Sequence, residues 1–174
     1  MRSGVSKKLI LLRHAKAEAY AESDGARSLA LRGRRQAAAV GEALDSEGPI
    51  IDAALVSAAH RTRQTWELLS SRLASKPVVE FREDLYDATV RTALAIVRET
   101  SPEVETLIVV GHEPVMSSLA ALLAGGESDP GLIEQVRLGI PTAARCVLTF
   151  DGTWAELDRA AAKLEAVLRA KEAE

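Results

Sequence analysis

The sequence holds a single cysteine, Cys146, and only two residues each of Trp, Tyr and Phe. One cysteine cannot form an internal disulfide, and its place in the apolar run RCVLTF (145–150) reads as a buried, inert thiol. With aromatics at 3%, the core has to be built from Ala, Leu, Val and Ile. No apolar run approaches the roughly 18–20 residues of a spanning helix, which argues against a membrane partner. The opening MRSGVSKK is not followed by a hydrophobic region with a small-residue cleavage site, because Arg13 cuts the next run short. A cytoplasmic location is the expectation. Excess positive charge is missing too. Lys and Arg total 22 against 25 Asp and Glu, a net charge of -3, which excludes bulk attraction to nucleic acid or an anionic membrane.

What the chain does have is 47% hydrophobic and 27% charged residues over 174 positions, enough for one domain with a sizeable core. Short aliphatic runs alternate with longer amphipathic segments. Strands are expected at 8–12, 53–57, 78–81, 106–111 and 146–150. Helices are expected at about 29–46, 60–74, 89–100, 114–124 and 131–136. In the first helix Ala37, Val40, Ala43 and Leu44 recur at helical spacing, and in the second Thr65, Leu68, Leu69 and Leu73 do. This alternation predicts an α/β sandwich with a mostly parallel central sheet. The stretch GGESDPG (125–131) reads as a loop. The C-terminal segment is ambiguous: its Ala, Leu, Glu and Lys content favours a helix, while the alternation of Leu164, Ala166 and Leu168 also allows an edge strand.

In an open α/β sheet, ligands bind beyond the carboxyl ends of the strands. Arg13 and His14 follow the first strand; Ser57 ends the second, with Arg61 a turn later; Gly111 and His112 close the fourth, followed by Glu113 and Pro114. Two arginines and two imidazoles brought to one edge make an anion site, because guanidinium forks match phosphoryl oxygens. Helix starts near Ser57 and Pro114 would add backbone N–H donors, Pro114 suiting the first helical position. A neutral imidazole at such a site can attack phosphorus directly, splitting phosphoryl transfer into two steps through a phosphohistidine.

The motifs LLRHAKAE, SAAHRTRQT (57–65) and VVGHEP (109–114), in that order, resemble the histidine phosphatase superfamily of phosphoglycerate-mutase-like proteins. The spelling RHAKA, with DGARSLALRG (24–33) and EDLYDA (83–88), is most similar to its small phosphohistidine phosphatase branch. The resemblance implies a three-layer α/β/α sandwich forming a single domain over 1–174, without the inserted subdomain of the mutases. It implies His14 as the nucleophile, Arg13 and Arg61 as phosphoryl ligands, and His112 as a further phosphoryl ligand that steadies the transition state. It implies Glu83 in FREDLY as the general acid, with Asp84 beside it as the alternative; many members of this branch lack a clear acid there. Relatives with the FDGTW turn (150–154) end in a short strand, which bears on residues 162–168.

Other polar residues carry plainer expectations. His60 reads as a surface or capping residue, and Arg63 as facing solvent or a carboxylate. The charges of RGRRQ (32–36) spread over an exposed helix face, and Trp66 and Trp154 are packing residues. Lys16 and Arg27 are placed on the rim of the pocket, where they would attract an acidic substrate. A zinc site needs three or four ligands and would be repelled by the flanking arginines, so no metal or other cofactor is expected. The expected activity is a metal-independent phosphatase with protein phosphohistidine as the favoured substrate. The alternatives are a phosphatase of a small metabolite, such as a sugar phosphate or nucleotide, and a catalytically silent phosphate-binding module. Substrate choice would rest with the segments 15–28 and 125–140.

Overall fold

The computed structural model describes residues 6–48 and 50–171. The first five residues, read above for a targeting signal, lie outside the described residues. Six strands form one sheet: β1 (Lys7–Arg13), β2 (Ala53–Ser57), β3 (Val78–Arg82), β4 (Thr106–Gly111), β5 (Arg145–Phe150) and β6 (Lys163–Leu168). Their order is β3-β2-β4-β1-β5-β6. The first four run parallel, while β5 and β6 are added antiparallel.

Each face of the sheet carries its own core. Leu9 and Leu11 point to one side, with Leu107 and Val109 beside them. There they meet α3 (Val90–Arg98), α4 (Val115–Leu123) and α5 (Pro130–Arg137). Ile10, Leu12, Ile108 and Val110 point to the other side, onto α1 (Leu31–Glu47) and α2 (His60–Ser70). A strand covered on both faces reads as a continuous apolar run, which is why LILL shows no alternation. The three-layer sandwich is therefore as expected. Trp66 and Trp154 are buried, Trp154 with its indole N–H donating to the Val104 carbonyl at 2.7 Å. Cys146 is fully buried, and burial pushes its thiol up to about 12. Among the described residues no helix is long and apolar enough to cross a membrane.

Four readings are corrected. The helix favoured for 162–168 is the strand β6, which pairs antiparallel with β5 and buries Leu164. Without β6 the outer edge of β5 would present unpaired backbone groups, and closing that ladder outweighs the modest helix preference of Ala, Glu and Lys. The second helix ends at Ser70 rather than 74, with Leu73 still buried beyond it. Pro114 sits one position before α4, at its N-cap. Arg63 is half-buried and, among the described residues, is paired with no carboxylate. Its Nε donates to the Ala58 carbonyl at 2.9 Å, and its guanidinium lies 4.3 Å from the centre of the Phe81 ring.

The loop from His14 to Leu31 is fastened to both inner helices. Gln36 accepts from the Lys16 amide at 2.9 Å, and Gln64 accepts from the Leu29 amide at 2.7 Å. Gly33 lets α1 approach this loop: a Cβ there would stand 1.9 Å from the Lys16 carbonyl oxygen. Alanine normally favours a helix over glycine by ~1 kcal/mol. Gly33→Ala is expected to act the other way, destabilising by ~2 kcal/mol or more in urea unfolding, since the opposing atom is backbone. Gly126→Ala, with open space around it, should stay within ~0.5 kcal/mol.

Candidate functional site

The first rung beyond β1 and β4 sets the geometry. Arg13 is paired with Gly111, and the His14 amide donates to the Gly111 carbonyl at 3.0 Å, so His14 and His112 emerge side by side. Their ring centroids lie 5.4 Å apart. Arg61 arrives from the first turn of α2, which two threonines tie down. Thr62 donates to the Ser57 carbonyl at 2.7 Å; Thr65 donates to the Arg61 carbonyl at 2.7 Å and accepts from the Ala15 amide at 3.1 Å. The four predicted residues Arg13, His14, Arg61 and His112 line one cleft of about 240 Å³, with Lys16 and Arg27 on the same walls.

The hydrogen bonds define which nitrogen of each histidine is free. His14 Nδ1 lies 2.8 Å from the Ala15 carbonyl, which can only accept, so Nδ1 carries the proton and the lone pair is on Nε2. Burial drives the His14 imidazolium down to about 3, and the positive groups of Arg61 and Arg13 push the same way. His14 is therefore neutral at ordinary pH. Burial and Arg61 lower His112 to about 4. Arg61 Nη2 donates toward His112 Nδ1 at 3.3 Å, and His112 Nε2 lies 2.7 Å from Ser57 Oγ.

The guanidinium groups are held but not saturated. Arg13 donates to the Ile140 carbonyl at 2.9 Å, and Arg61 donates to the Asp24 carbonyl at 2.9 Å and to its carboxylate at 3.2 Å. The Nε atoms of both arginines are buried without a protein partner among the described residues. Among the described residues Glu113 is the one carboxylate lining the cleft, and its oxygens accept from the Ser117 amide and hydroxyl and from the Ile140 amide. That last bond fixes the peptide that holds Arg13.

The structure does not bring Glu83 into this group. Glu83 begins a short 3-10 turn, is exposed, and is not among the residues lining the cleft. Asp84 is turned back onto Arg82, with a nitrogen–oxygen distance of 2.7 Å that holds its carboxyl below the usual range. Leu85, not Glu83, is the residue this turn buries. Sequence reasoning missed instead Tyr86 and Asp24. The Tyr86 hydroxyl donates to the Asp24 carboxylate, and its ring lies 5.6 Å from that of His112. That bond first, then Arg61 and Arg27, holds Asp24 down to about 2. Both residues sit inside motif segments, DGARS and EDLYDA, yet nothing local indicates that positions 62 apart meet. His60 is exposed, as expected.

A six-stranded α/β sheet carrying two histidines and two arginines at the ends of its parallel strands defines a phosphoryl-binding class of site. The chain matches the histidine phosphatase superfamily (branch 1) over residues 9–89. An uncharacterized protein of Mycobacterium tuberculosis is 37% identical over 156 residues, covering 88% of this chain and 96% of its own length. A solved structure from Nakamurella multipartitia, provisionally assigned as the phosphohistidine phosphatase SixA, superimposes with a TM-score of 0.86 at 31% identity, covering 95% of this chain and 97% of that one. One from Agrobacterium tumefaciens with the same provisional assignment gives 0.76 at 26% identity, over 93% and 97% of the two chains. The chain belongs to the histidine phosphatase superfamily, and the solved structures it resembles are described as phosphatases.

Both histidines are held neutral in the fold at pH values where an unfolded chain, with ordinary histidines near 6.5, would protonate them. The unfolded state therefore binds more protons below about pH 6.5, and the stability present above that value drains as pH falls toward 4. Urea unfolding between pH 7 and 4.5 is expected to show a loss of about 2 kcal/mol or more. That slope should flatten in His14→Gln with His112→Gln. An equal slope in the double variant would assign the loss to other groups.

Proposed function

We propose that this protein is a phosphatase that works through a covalent phosphohistidine at His14, and that its substrate is phosphohistidine on a protein. The observation that carries the reading is the state of His14: neutral, its Nδ1 proton fixed on the Ala15 carbonyl, its Nε2 lone pair free, beside the guanidinium groups of Arg13 and Arg61, each with a buried Nε that has no protein partner among the described residues. Such a ring is a nucleophile already in its reactive tautomer.

In the first step Nε2 of His14 forms a bond to phosphorus as the bond from phosphorus to the substrate nitrogen breaks. Arg13 and Arg61 bind the equatorial oxygens and neutralise their charge. Once an anion is bound its negative charge favours protonation of His112, whose Nδ1 then no longer accepts from Arg61 and donates to a phosphoryl oxygen instead. In the second step water displaces His14, releasing inorganic phosphate and restoring the free imidazole. The reaction is taken to need no metal or other cofactor, and the substrate to be a cytoplasmic phosphoprotein.

The leaving group is where the substrate reading gains its support. An alkoxide leaving from a sugar phosphate needs a proton, and the carboxyls near the cleft are poor sources. Asp24 is ionised down to about pH 2, Glu113 spends its oxygens as acceptors, and Glu83 stands outside the lining. A phosphorylated imidazole can take a proton from water on its other ring nitrogen before the P–N bond breaks, and it then departs as a neutral base. This fits a site built without a donor acid.

Turnover of a phosphohistidine peptide in the presence of a chelator is the first expected result, with at least ~10³-fold loss in His14→Ala. Alkali-quenched rapid mixing with labelled substrate should trap a base-stable, acid-labile phosphoryl group on His14. Activity that survives the substitution would overturn the mechanism. Glu83→Gln is expected to keep kcat within about threefold on the peptide, whereas a working general acid would lose ~10²-fold or more. A higher kcat/KM on small phosphate esters than on phosphohistidine peptides would move the substrate to the metabolite class.

A further inference from the structure

The Arg61 guanidinium is held from two sides. Nη1 donates to the Asp24 carbonyl at 2.9 Å, while Nη2 donates to the Asp24 carboxylate at 3.2 Å and toward His112 Nδ1 at 3.3 Å. In the transfer step the bond to His112 is given up, because a protonated His112 turns to the bound anion. Asp24 then has to keep the guanidinium in place, through its main chain and its side chain together. Yet Asp24 stands on a three-residue turn, Asp24–Ala26, with its side chain 55% exposed. An ion pair so open to water contributes little unless its geometry is fixed from elsewhere.

Here it is fixed. The Tyr86 hydroxyl donates to Oδ2 of Asp24, the oxygen that Arg61 also uses, and Arg27 Nε donates to Oδ1 at 3.0 Å. Tyr86 comes from another part of the sheet. It caps the 3-10 turn after β3, with its amide donating to the Glu83 carbonyl at 3.1 Å and Leu85 buried next to it. Its ring lies against the turn that carries Asp24: a Cβ on Gly25 would stand 3.4 Å from Tyr86 Cε2. The Arg61 guanidinium is 5.8 Å from the centre of the same ring. Neither Asp24 nor Tyr86 is among the described residues that line the cleft, so both reach it through Arg61.

We propose that Asp24 and Tyr86 are a positioning pair for phosphoryl transfer: Tyr86 holds the Asp24 carboxylate, and Asp24 keeps Arg61 aimed at the phosphoryl group after His112 has left it. The proposal rests on the reading of the cleft as a site of phosphoryl transfer, and on no particular leaving group. Alignment of a guanidinium matters most where charge builds on the equatorial oxygens, so its loss falls on kcat. Charge acts in the opposite sense on the ground state. The Asp24 carboxylate repels a phosphate, so removing it should not weaken phosphate binding even as transfer slows.

The variants that test this are Tyr86→Phe, which keeps the ring against Gly25, Asp24→Asn, and the two combined. On an aryl phosphate, kcat is expected to fall about tenfold in Tyr86→Phe and ~10²-fold in Asp24→Asn. Inhibition by inorganic phosphate should stay within about twofold in Tyr86→Phe, and be equal or tighter in Asp24→Asn. The double variant should be within about twofold of Asp24→Asn, because Tyr86 acts only through Asp24. A general loosening of the fold would weaken phosphate binding along with kcat, and that pattern overturns the proposal. An unchanged kcat in Asp24→Asn does so too, as does a double variant slowed by the product of the two single losses.

His112 supplies a readout that a purely structural role would not move. It faces Arg61, the Ser57 hydroxyl and the rings of Tyr86 and His14, with the charges of Asp24, Arg27 and Arg13 beyond them. Of those charges only Asp24 favours the imidazolium. With inorganic phosphate bound, the His112 titration followed by NMR should move to lower pH in Asp24→Asn and hold in Tyr86→Phe, where the carboxylate keeps its charge. An unmoved titration in Asp24→Asn counts against the pair. Its failure and that of the covalent reading are separable on the aryl phosphate. Activity lost in His14→Ala but kept in Asp24→Asn sinks the pair alone, while activity kept in His14→Ala but slowed in Asp24→Asn with phosphate binding intact sinks the covalent reading alone.

Discussion

The site depends on one register, the parallel pairing of β1 with β4. Arg13 lies opposite Gly111, and the next amide, that of His14, still reaches the Gly111 carbonyl. On the other side the Arg13 amide donates to the Ala144 carbonyl, and the His14 carbonyl accepts from the Ala143 amide. The backbone at the nucleophile is thus held from both neighbouring strands after β1 has formally ended. A slip of one residue would exchange the faces of Leu9 and Leu11 with those of Ile10 and Leu12 and misplace His14 at once. The buried apolar register and the position of the reactive ring are one constraint.

Electrostatics sets the resting state of that position. Burial first, and the two guanidinium groups of the cleft after it, make a further positive charge expensive, so both imidazoles give up their protons. Asp24 and the Ile140 carbonyl balance part of the charge from behind, leaving buried Nε donors without partners. Buried donors of this kind normally find an acceptor in the protein. The cleft is thereby more complementary to a phosphoryl anion than to its own empty state, which is the condition for binding charge that develops during transfer.

The first and last strands are each followed by basic residues, Lys16 after β1 and Arg169 after β6. The loop after β1 carries Lys16 and Arg27 and is tied to α1 and α2 through Gln36 and Gln64. Arg169 follows the last strand and lines a cavity of about 570 Å³ that shares Arg13, Lys16 and Thr142 with the His14 cleft. Had residues 162–168 been helical, as their local composition favours, Arg169 would not stand on that wall. The edge of β5 decides the matter, because an unpaired ladder outweighs a few tenths of a kcal/mol of helix propensity.

Arg13, His14, Arg61 and His112 were legible in the sequence because each follows an apolar run at a strand's carboxyl end, where the fold class alone puts ligands. The strands themselves were legible for a related reason: a sheet covered on both faces needs unbroken aliphatic runs, and LILL and LIVV are such runs. Glu83 was not decided by its motif, since the 3-10 turn at 83–85 turns Leu85 inward and leaves the carboxylate exposed. Asp24 and Tyr86, the pair that clamps Arg61, had no local signal, because their meeting depends on α2 packing on the turn at 24–26 and β2 on the turn at 83–85. The sequence by itself determined which chemical groups stand at the ends of the strands. Only the tertiary structure decided which side chains surround them, since that depends on loops and edges whose conformation is set by distant partners.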